Sequence, residues 1–450
     1  MDRASVRSAI IMLGALAVSA VLYARLPFEA EVRKSLGLTV FIGVLWLTEA
    51  LPLAVVALMV PLGALLLGFD GLTTQKALAP FADPIVFLFL GGFALAAALR
   101  VQQLDRKMAV ALLALSRGHL GAAVGLLFAA TALLSMGISN TATAAMMLPL
   151  TMGVLRAVDP ERDRRTHTFV LLGVAYAASL GGLGTLVGSP PNALAARAAG
   201  VDFAGWLRIG LPLVGVLMPL MVLTLWLVLR PRLNQRIPIE MAAVPWTRDR
   251  VLTLMVFGCT ALGWTLGGPR LQAWGIQSPD TFFARAALVA VVWLGLTSWT
   301  QLSEQTDWGV LILFGGGLAL GDLLGTSGAS MVLGTQVAQG LEGSNPLLML
   351  LAVSAFMVLL SEFASNTAAA ALLIPVFAAI ASRMGLPQDV LVITVALAAS
   401  CGFALPVATP PNALVFGTGR VRQADMLRAG GALDLVCILV VSIWGWRALS

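Results

Sequence analysis

Apolar stretches of nearly bilayer-spanning length recur along the chain, at 8–24, 36–49, 52–69, 84–99, 208–229, 251–267, 282–300, 308–324 and 430–446. Each is long enough to cross, or nearly cross, a bilayer as a helix. Of the 450 residues, 59% are hydrophobic and 11% charged, and the mean hydropathy of +0.93 leaves no room for a soluble domain. The sequence therefore predicts an all-α polytopic membrane protein. The first stretch follows Arg3 and Arg7, but no small-residue cleavage site precedes the charged segment from Arg25 to Lys34, so it is expected to stay as the first helix.

The net charge is +6. Its basic residues are dispersed between the spans rather than gathered on one face, which suits membrane topology better than nucleic-acid binding. A cytoplasmic N-terminus with alternating loops places about 18 of the 28 Lys and Arg inside, notably from Arg100 to Arg117, Arg156 to Arg165, Arg230 to Arg250 and Arg420 to Arg428. That alternation requires two segments, about 119–157 and 344–382, to enter and leave on one side as re-entrant hairpins. Residues 1–34 then form an N-terminal helix and connection. Residues 35–230 make a first repeat with a broken helix at about 166–199, and 231–250 a cytoplasmic connection. Residues 251–450 make a second repeat with a broken helix at about 388–416. The expected total is about 11 transmembrane helices plus the two hairpins.

The repeat is written in matched motifs. Ser139-Asn140-Thr141-Ala142, leading to Pro149, recurs as Ser365-Asn366-Thr367-Ala368, leading to Pro375, 226 residues later. Ser189-Pro190-Pro191-Asn192-Ala193-Leu194 recurs as Thr409-Pro410-Pro411-Asn412-Ala413-Leu414 after 220 residues, and Gly91-Gly92 answers Gly316-Gly317. An odd number of crossings between the copies makes the repeats inverted, an arrangement that brings two broken elements together around one midplane site.

Polar breaks at that depth need partners, because an unpaired backbone group in hydrocarbon costs several kcal/mol. Ions and substrate can be those partners. The prolines at 190, 191, 410 and 411 are expected to stop the preceding helices and free carbonyls around Gly188 and Ala408 to face a cation. Ser139 and Ser365 stand where helix N-caps would stand, presenting free N–H groups and positive dipole ends to an anion. Gly181, Gly182 and Gly184 read as helix-packing contacts, whereas Gly188 abuts the Pro-Pro break.

No Lys or Arg lies within about a dozen residues of either Ser-Asn-Thr, and Arg197 and Arg420, the nearest to the Pro-Pro breaks, are expected to face the membrane surfaces. A dianion held only by hydroxyl, amide and N–H groups calls for mobile cations beside it, and sodium suits oxygen ligands. A proton would need a titratable group, and the embedded acids are Glu49, Asp83, Asp322, Glu362 and Asp434. Most sit near span ends. Glu362, just ahead of the second hairpin tip, reads either as an ion ligand or as a hydrogen-bonding fastener of the tip. The two histidines, His119 and His167, and the cysteines Cys259, Cys401 and Cys437 show no metal or redox spacing, and no triad or Walker motif occurs. The chain is expected not to be an enzyme and to have no organic cofactor. A channel would need a continuous polar path, whereas the polar groups here form one cluster.

The motifs Trp46-Leu47-Thr48-Glu49-Ala50-Leu51-Pro52, Ser135-Met136-Gly137-Ile138-Ser139-Asn140-Thr141, Gly188-Ser189-Pro190-Pro191-Asn192, Ser361-Glu362-Phe363-Ala364-Ser365-Asn366-Thr367 and Ala408-Thr409-Pro410-Pro411-Asn412 resemble the divalent anion/sodium symporter family over nearly the whole chain. That resemblance implies a homodimer in a bacterial inner membrane, with a fixed scaffold and a mobile transport domain that works as an elevator. It implies one sodium site at Ser135, Ser139, Asn140 and Gly188 and another at Ser361, Ala364, Asn366 and Ala408. Substrate would lie between Asn140 and Thr141 on one side and Asn366 and Thr367 on the other, with Ser189, Pro190, Thr409 and Pro410 lining the cavity. Such a protein imports C4-dicarboxylates such as succinate with sodium. The same family holds sodium-independent exchangers and sulfate and citrate carriers, and the absence of basic residues disfavours trivalent citrate.

Overall fold

The apolar stretches fold as helices. In the computed structural model, which describes residues 3–156, 158–159, 163–236, 244–341 and 345–449, the one β contact among the described residues is a bridge between His119 and Arg236. Seven helices among those residues are long and apolar enough to cross a membrane: Val6–Arg25, Thr74–Val101, Phe203–Leu229, Trp308–Thr326, Pro346–Phe363, Asn366–Arg383 and Gln423–Leu449. Leu53–Leu67, Leu120–Ser135 and Gln388–Ala399 are apolar but shorter, and the last two of these end at polar breaks.

The outer surface is built for lipid. Ile10, Leu13, Leu16 and Val21 point outward from the first helix, as do Leu223, Trp226 and Leu227 from Phe203–Leu229, a display that water would penalise. Exposed tryptophans, among them Trp274, Trp293, Trp299 and Trp446, sit at or near helix ends, where an amphipathic ring meets the headgroup level.

Both halves run through the same series of elements. A helix pair, Leu120–Ser135 with Asn140–Leu155, matches Pro346–Phe363 with Asn366–Arg383. A helix in two pieces, Arg164–Gly182 and Pro190–Ala199, matches Gln388–Ala399 and Pro410–Phe416. Each half closes on a helix of 27 residues, Phe203–Leu229 and Gln423–Leu449. Positions 157 and 344, where the hairpins were expected to end and begin, and 237–243 of the expected 231–250 connection lie outside the described residues.

Glycines let the halves interlock. A Cβ on Gly91 would come within 2.4 Å of the Ala284 carbonyl oxygen on Pro279–Trp293, and one on Gly316 within 2.6 Å of the Ala57 side chain on Leu53–Leu67. Helix pairs this close exclude any side chain at the crossing. The broken helices exchange partners in the same way. Pro190–Ala199 packs on Gln388–Ala399 and Asn366–Arg383, while Pro410–Phe416 packs on Arg164–Gly182 and Asn140–Leu155. The breaks of the two halves thereby come to one place in the fold.

Candidate functional site

Each helix pair turns on a serine cap. The Ser139 hydroxyl accepts from the Ala142 N–H at 3.4 Å and the Ser365 hydroxyl from the Ala368 N–H at 3.5 Å. The remaining first-turn amides, together with the positive dipole ends, are left at the tips.

Behind the first tip lies a buried oxygen cluster. Ser135 donates to the Ala178 carbonyl at 2.6 Å. With its amide nitrogen turned inward, Asn140 donates to Ser135 Oγ at 2.7 Å, to Ala178 O at 3.1 Å and to Gly188 O at 3.2 Å. Since the single Ser135 proton is committed to Ala178, its oxygen is free to accept from Asn140. Thr185 supports the turn by donating to Met136 O and accepting from the Gly188 N–H.

The second cluster is built on the same plan. Ser361 is fully buried and donates to Val358 O at 2.9 Å. It lies against Gly402, where a Cβ would stand 3.0 Å from Ser361 Oγ and 3.4 Å from Ala408 Cβ. Ala364 is the C-terminal cap of Pro346–Phe363 and Asn366 opens the following helix. Asn366 Oδ1 is buried without a hydrogen-bond partner among the described residues.

The prolines act differently from expectation. The preceding helices stop well upstream, at Gly182 and Ala399, and Pro190 and Pro410 are instead the first residues of the helices that follow. A fixed φ and a missing N–H suit that first position. Asn192 and Asn412 hold the breaks in shape. Asn192 Nδ2 donates to Gly182 O and Thr185 O, each at 2.8 Å, and Asn412 Nδ2 to Gly402 O at 3.3 Å and Leu405 O at 3.0 Å. In both halves the acceptors lie ten and seven residues upstream. Both asparagines leave Oδ1 buried and without a hydrogen-bond partner among the described residues. A buried orphan oxygen calls for a partner, and three of the four motif asparagines carry one.

The residues expected to line the substrate cavity fall around these breaks. Ser189 Oγ lies 3.3 Å from Ser400 Oγ, joining the halves, and Thr409 Oγ1 caps its helix by accepting from the Asn412 N–H at 3.3 Å. Asn140, Asn366, Thr367 and Pro190 are half-buried, and Thr141 and Pro410 exposed. The two nearest cations are engaged elsewhere: Arg197 pairs with Asp83 at 2.9 Å, and Arg420 contacts the His167 ring at 3.3 Å. A cavity of about 400 Å³ opens to one side, along Arg197, Asp322, Ala371 and Pro375, and none of the expected ligands lines it.

Residues 43–391 and 342–450 match the profile of the CitMHS citrate transporter family. The chain belongs to this family. It is a membrane transporter and not an enzyme. The transporter is 47% identical over 430 residues to an uncharacterized transporter of Haemophilus influenzae, covering 94% of this chain and 93% of the relative. It is 31% identical to the sodium-dependent dicarboxylate transporter SdcS of Staphylococcus saprophyticus, over 90% of this chain and 84% of that protein. The crystal structure of the Alcanivorax borkumensis YdaH transporter shares the fold, with a TM-score of 0.59 at 15% identity, over 99% of this chain and 98% of that one. The resemblance to divalent anion/sodium symporters read from the motifs therefore holds at the level of family.

Several positions in the transporter's site escape sequence reasoning. Gly182, read as a packing contact, instead faces the cluster: a Cβ there would lie 2.3 Å from the inward-facing amide atom of Asn140 and 3.0 Å from Gly188 O. Gly181 does pack between helices, 2.4 Å by the same measure from Ala132 O. Asn192 and Asn412 were visible inside duplicated motifs, yet their role as fasteners depends on carbonyls they meet only in the fold. Asn412→Ala is expected to strip both Gly402 O and Leu405 O of their donor, destabilising the protein by about 2–4 kcal/mol. Thermal unfolding in detergent checks this, and Asn192→Ala should match it in size.

Proposed function

We propose that this transporter imports a C4-dicarboxylate of the succinate, malate and fumarate class together with sodium ions. The observation that carries the reading is the pair of oxygen-rich breaks, matched between the halves and free of Lys and Arg. An anion with two charges needs positive charge nearby in a low-dielectric site, and co-bound sodium supplies it. Turning the Asn140 amide over presents its oxygen, with those of Ser135, Ala178 and Gly188, to the first ion. Ser361, Ala364, Asn366 and Ala408 hold the second, and Ser139 fixes the first tip. Hard cations of this kind take carbonyl, hydroxyl and amide oxygens. The free N–H groups at Asn140, Thr141, Asn366 and Thr367 then take the carboxylates, with Ser189, Pro190, Thr409 and Pro410 closing the cavity.

The SdcS relative, described as a sodium-dependent dicarboxylate transporter, supports this choice of ion and substrate. In the same reading the two breaks belong to a transport domain that moves as an elevator against a scaffold, within a homodimer in a bacterial inner membrane and with a cytoplasmic N-terminus. Binding of radiolabelled succinate to the purified protein tests the coupling. Binding is expected in sodium and lost in equimolar potassium, with malate and fumarate displacing the label and sulfate and citrate competing weakly. Equal binding in both salts would reject sodium coupling, and preferential displacement by citrate or sulfate would reassign the substrate.

A further inference from the structure

The two breaks are fastened by different chemistry. Glu362 is 4% exposed and sends both carboxyl oxygens to the second break, accepting from the Ala404 N–H at 2.9 Å and the Leu405 N–H at 2.7 Å. Asp434, on Gln423–Leu449, accepts from the Phe403 N–H at 3.0 Å, and the two carboxyl groups also meet each other. From the first half, Tyr176 donates to Phe403 O at 2.8 Å and packs its ring on Phe403 with centroids 4.9 Å apart. Three consecutive residues, Phe403 to Leu405, are thereby gripped from three helices.

The first half is tied by neutral groups: at Leu183, which matches Phe403 at the 220-residue offset, Trp206 of Phe203–Leu229 donates to the carbonyl at 3.0 Å, and among the described residues no carboxyl group accepts from this break. The position matching Glu362 at the 226-residue offset is Met136, and at the 220-residue offset Asp434 matches Val214 and Tyr176 matches Ala396. There the neutral Thr185 hydroxyl shares the fastening with Trp206, bridging Met136 O and the Gly188 N–H. Three backbone N–H groups of the second break donate to carboxyl oxygens, against the single N–H that donates to Thr185 in the first, so the second break is held at more points. The clasp also joins two parts of one cluster. Glu362 follows Ser361 directly, and the break it grips runs on to Ala408.

We propose that Glu362 and Asp434 are positioning residues that hold the second break against the second hairpin and so set the sodium affinity of the second site alone. This rests on the sodium-coupled reading above. Neither residue touches ion or substrate; each acts through the backbone of Phe403 to Leu405.

The test compares Glu362→Gln, Asp434→Asn and Asp434→Ala with the unsubstituted protein in proteoliposomes, measuring succinate uptake against sodium and against succinate separately. Glutamine keeps one acceptor but sets an NH₂ group against the other N–H. It is expected to raise the half-saturating sodium concentration by about tenfold or more, with the succinate KM at saturating sodium changed by less than about twofold. Asparagine at 434 can still accept from Phe403 and should shift sodium dependence by less than about threefold, whereas Asp434→Ala should approach the Glu362→Gln value. Hydrogen exchange reads the clasp whatever ion drives transport: residues 402–408 should exchange faster in Glu362→Gln while 183–188 stay unchanged. Unchanged exchange at 402–408, or sodium and succinate dependence rising together, would overturn the proposal. Sodium-independent uptake by the unsubstituted protein would instead overturn the coupled reading, and the exchange data would still decide whether the clasp exists.

Discussion

Gly182→Ala is expected to abolish sodium-driven accumulation while leaving the protein inserted in the membrane. The added methyl would stand 2.3 Å from the inward-facing amide atom of Asn140 and 3.0 Å from Gly188 O, well inside van der Waals contact, and moving Asn140 away would break its bonds to Ser135, Ala178 and Gly188. Overpacking of this kind costs about 1–3 kcal/mol. Here the strain falls on the groups that would hold the first ion, where 1.4 kcal/mol corresponds to about a tenfold loss of affinity. Gly153→Ala is the control: it lies on the helix that Asn140 opens, nothing approaches its Cβ position within 4 Å, and alanine is the better helix former. Its uptake should equal that of the unsubstituted protein. Surface-exposed label and detergent gel filtration check that both variants insert and stay folded.

Asn366→Ala and Asn140→Ala should each eliminate accumulation, but with different effects on stability. Asn366 Oδ1 has no protein partner among the described residues, so removing it deletes an unsatisfied polar atom rather than a bond, and the melting temperature should hold or rise slightly. Asn140 ties Ser135, Ala178 and Gly188 together. Its removal should cost about 1–3 kcal/mol in addition to activity. A transport-dead Asn366→Ala of undiminished stability separates the binding role from the folding role. Normal uptake in either variant would withdraw these residues from the site.

Much of this was legible before any coordinates, because the informative features are local. The all-helical class follows from the lengths of apolar stretches. The serine caps follow from the residues that open each Ser-Asn-Thr helix, and the pairing of Gly91 with Gly316 from the repeat itself. What escaped depends on contacts between segments far apart in the chain. Gly182 looks like any helix glycine until the hairpin carrying Asn140 is laid against it; the one sequence sign was that Gly402 stands 220 residues on, at the offset of the Pro-Pro-Asn motifs. The hydrogen bonds of Glu362, open from sequence to an ion or a fastening role, reach amides 42 and 43 residues away. Asp434 gave no local signal beyond being an acid in an apolar helix. The prolines were misread because a Pro-Pro pair suits a helix start as well as a helix stop, and the glycine-rich stretch that ends the first-half helix lies just ahead of them.

The most direct test is uptake of radiolabelled succinate into proteoliposomes containing the purified protein, under an inward sodium gradient, an equal potassium gradient, or with succinate preloaded inside. The proposed assignment of the two lysine-free and arginine-free oxygen clusters to sodium predicts accumulation that requires the sodium gradient and is indifferent to internal succinate. Uptake that needs internal succinate and ignores sodium would contradict the account and make the protein an exchanger.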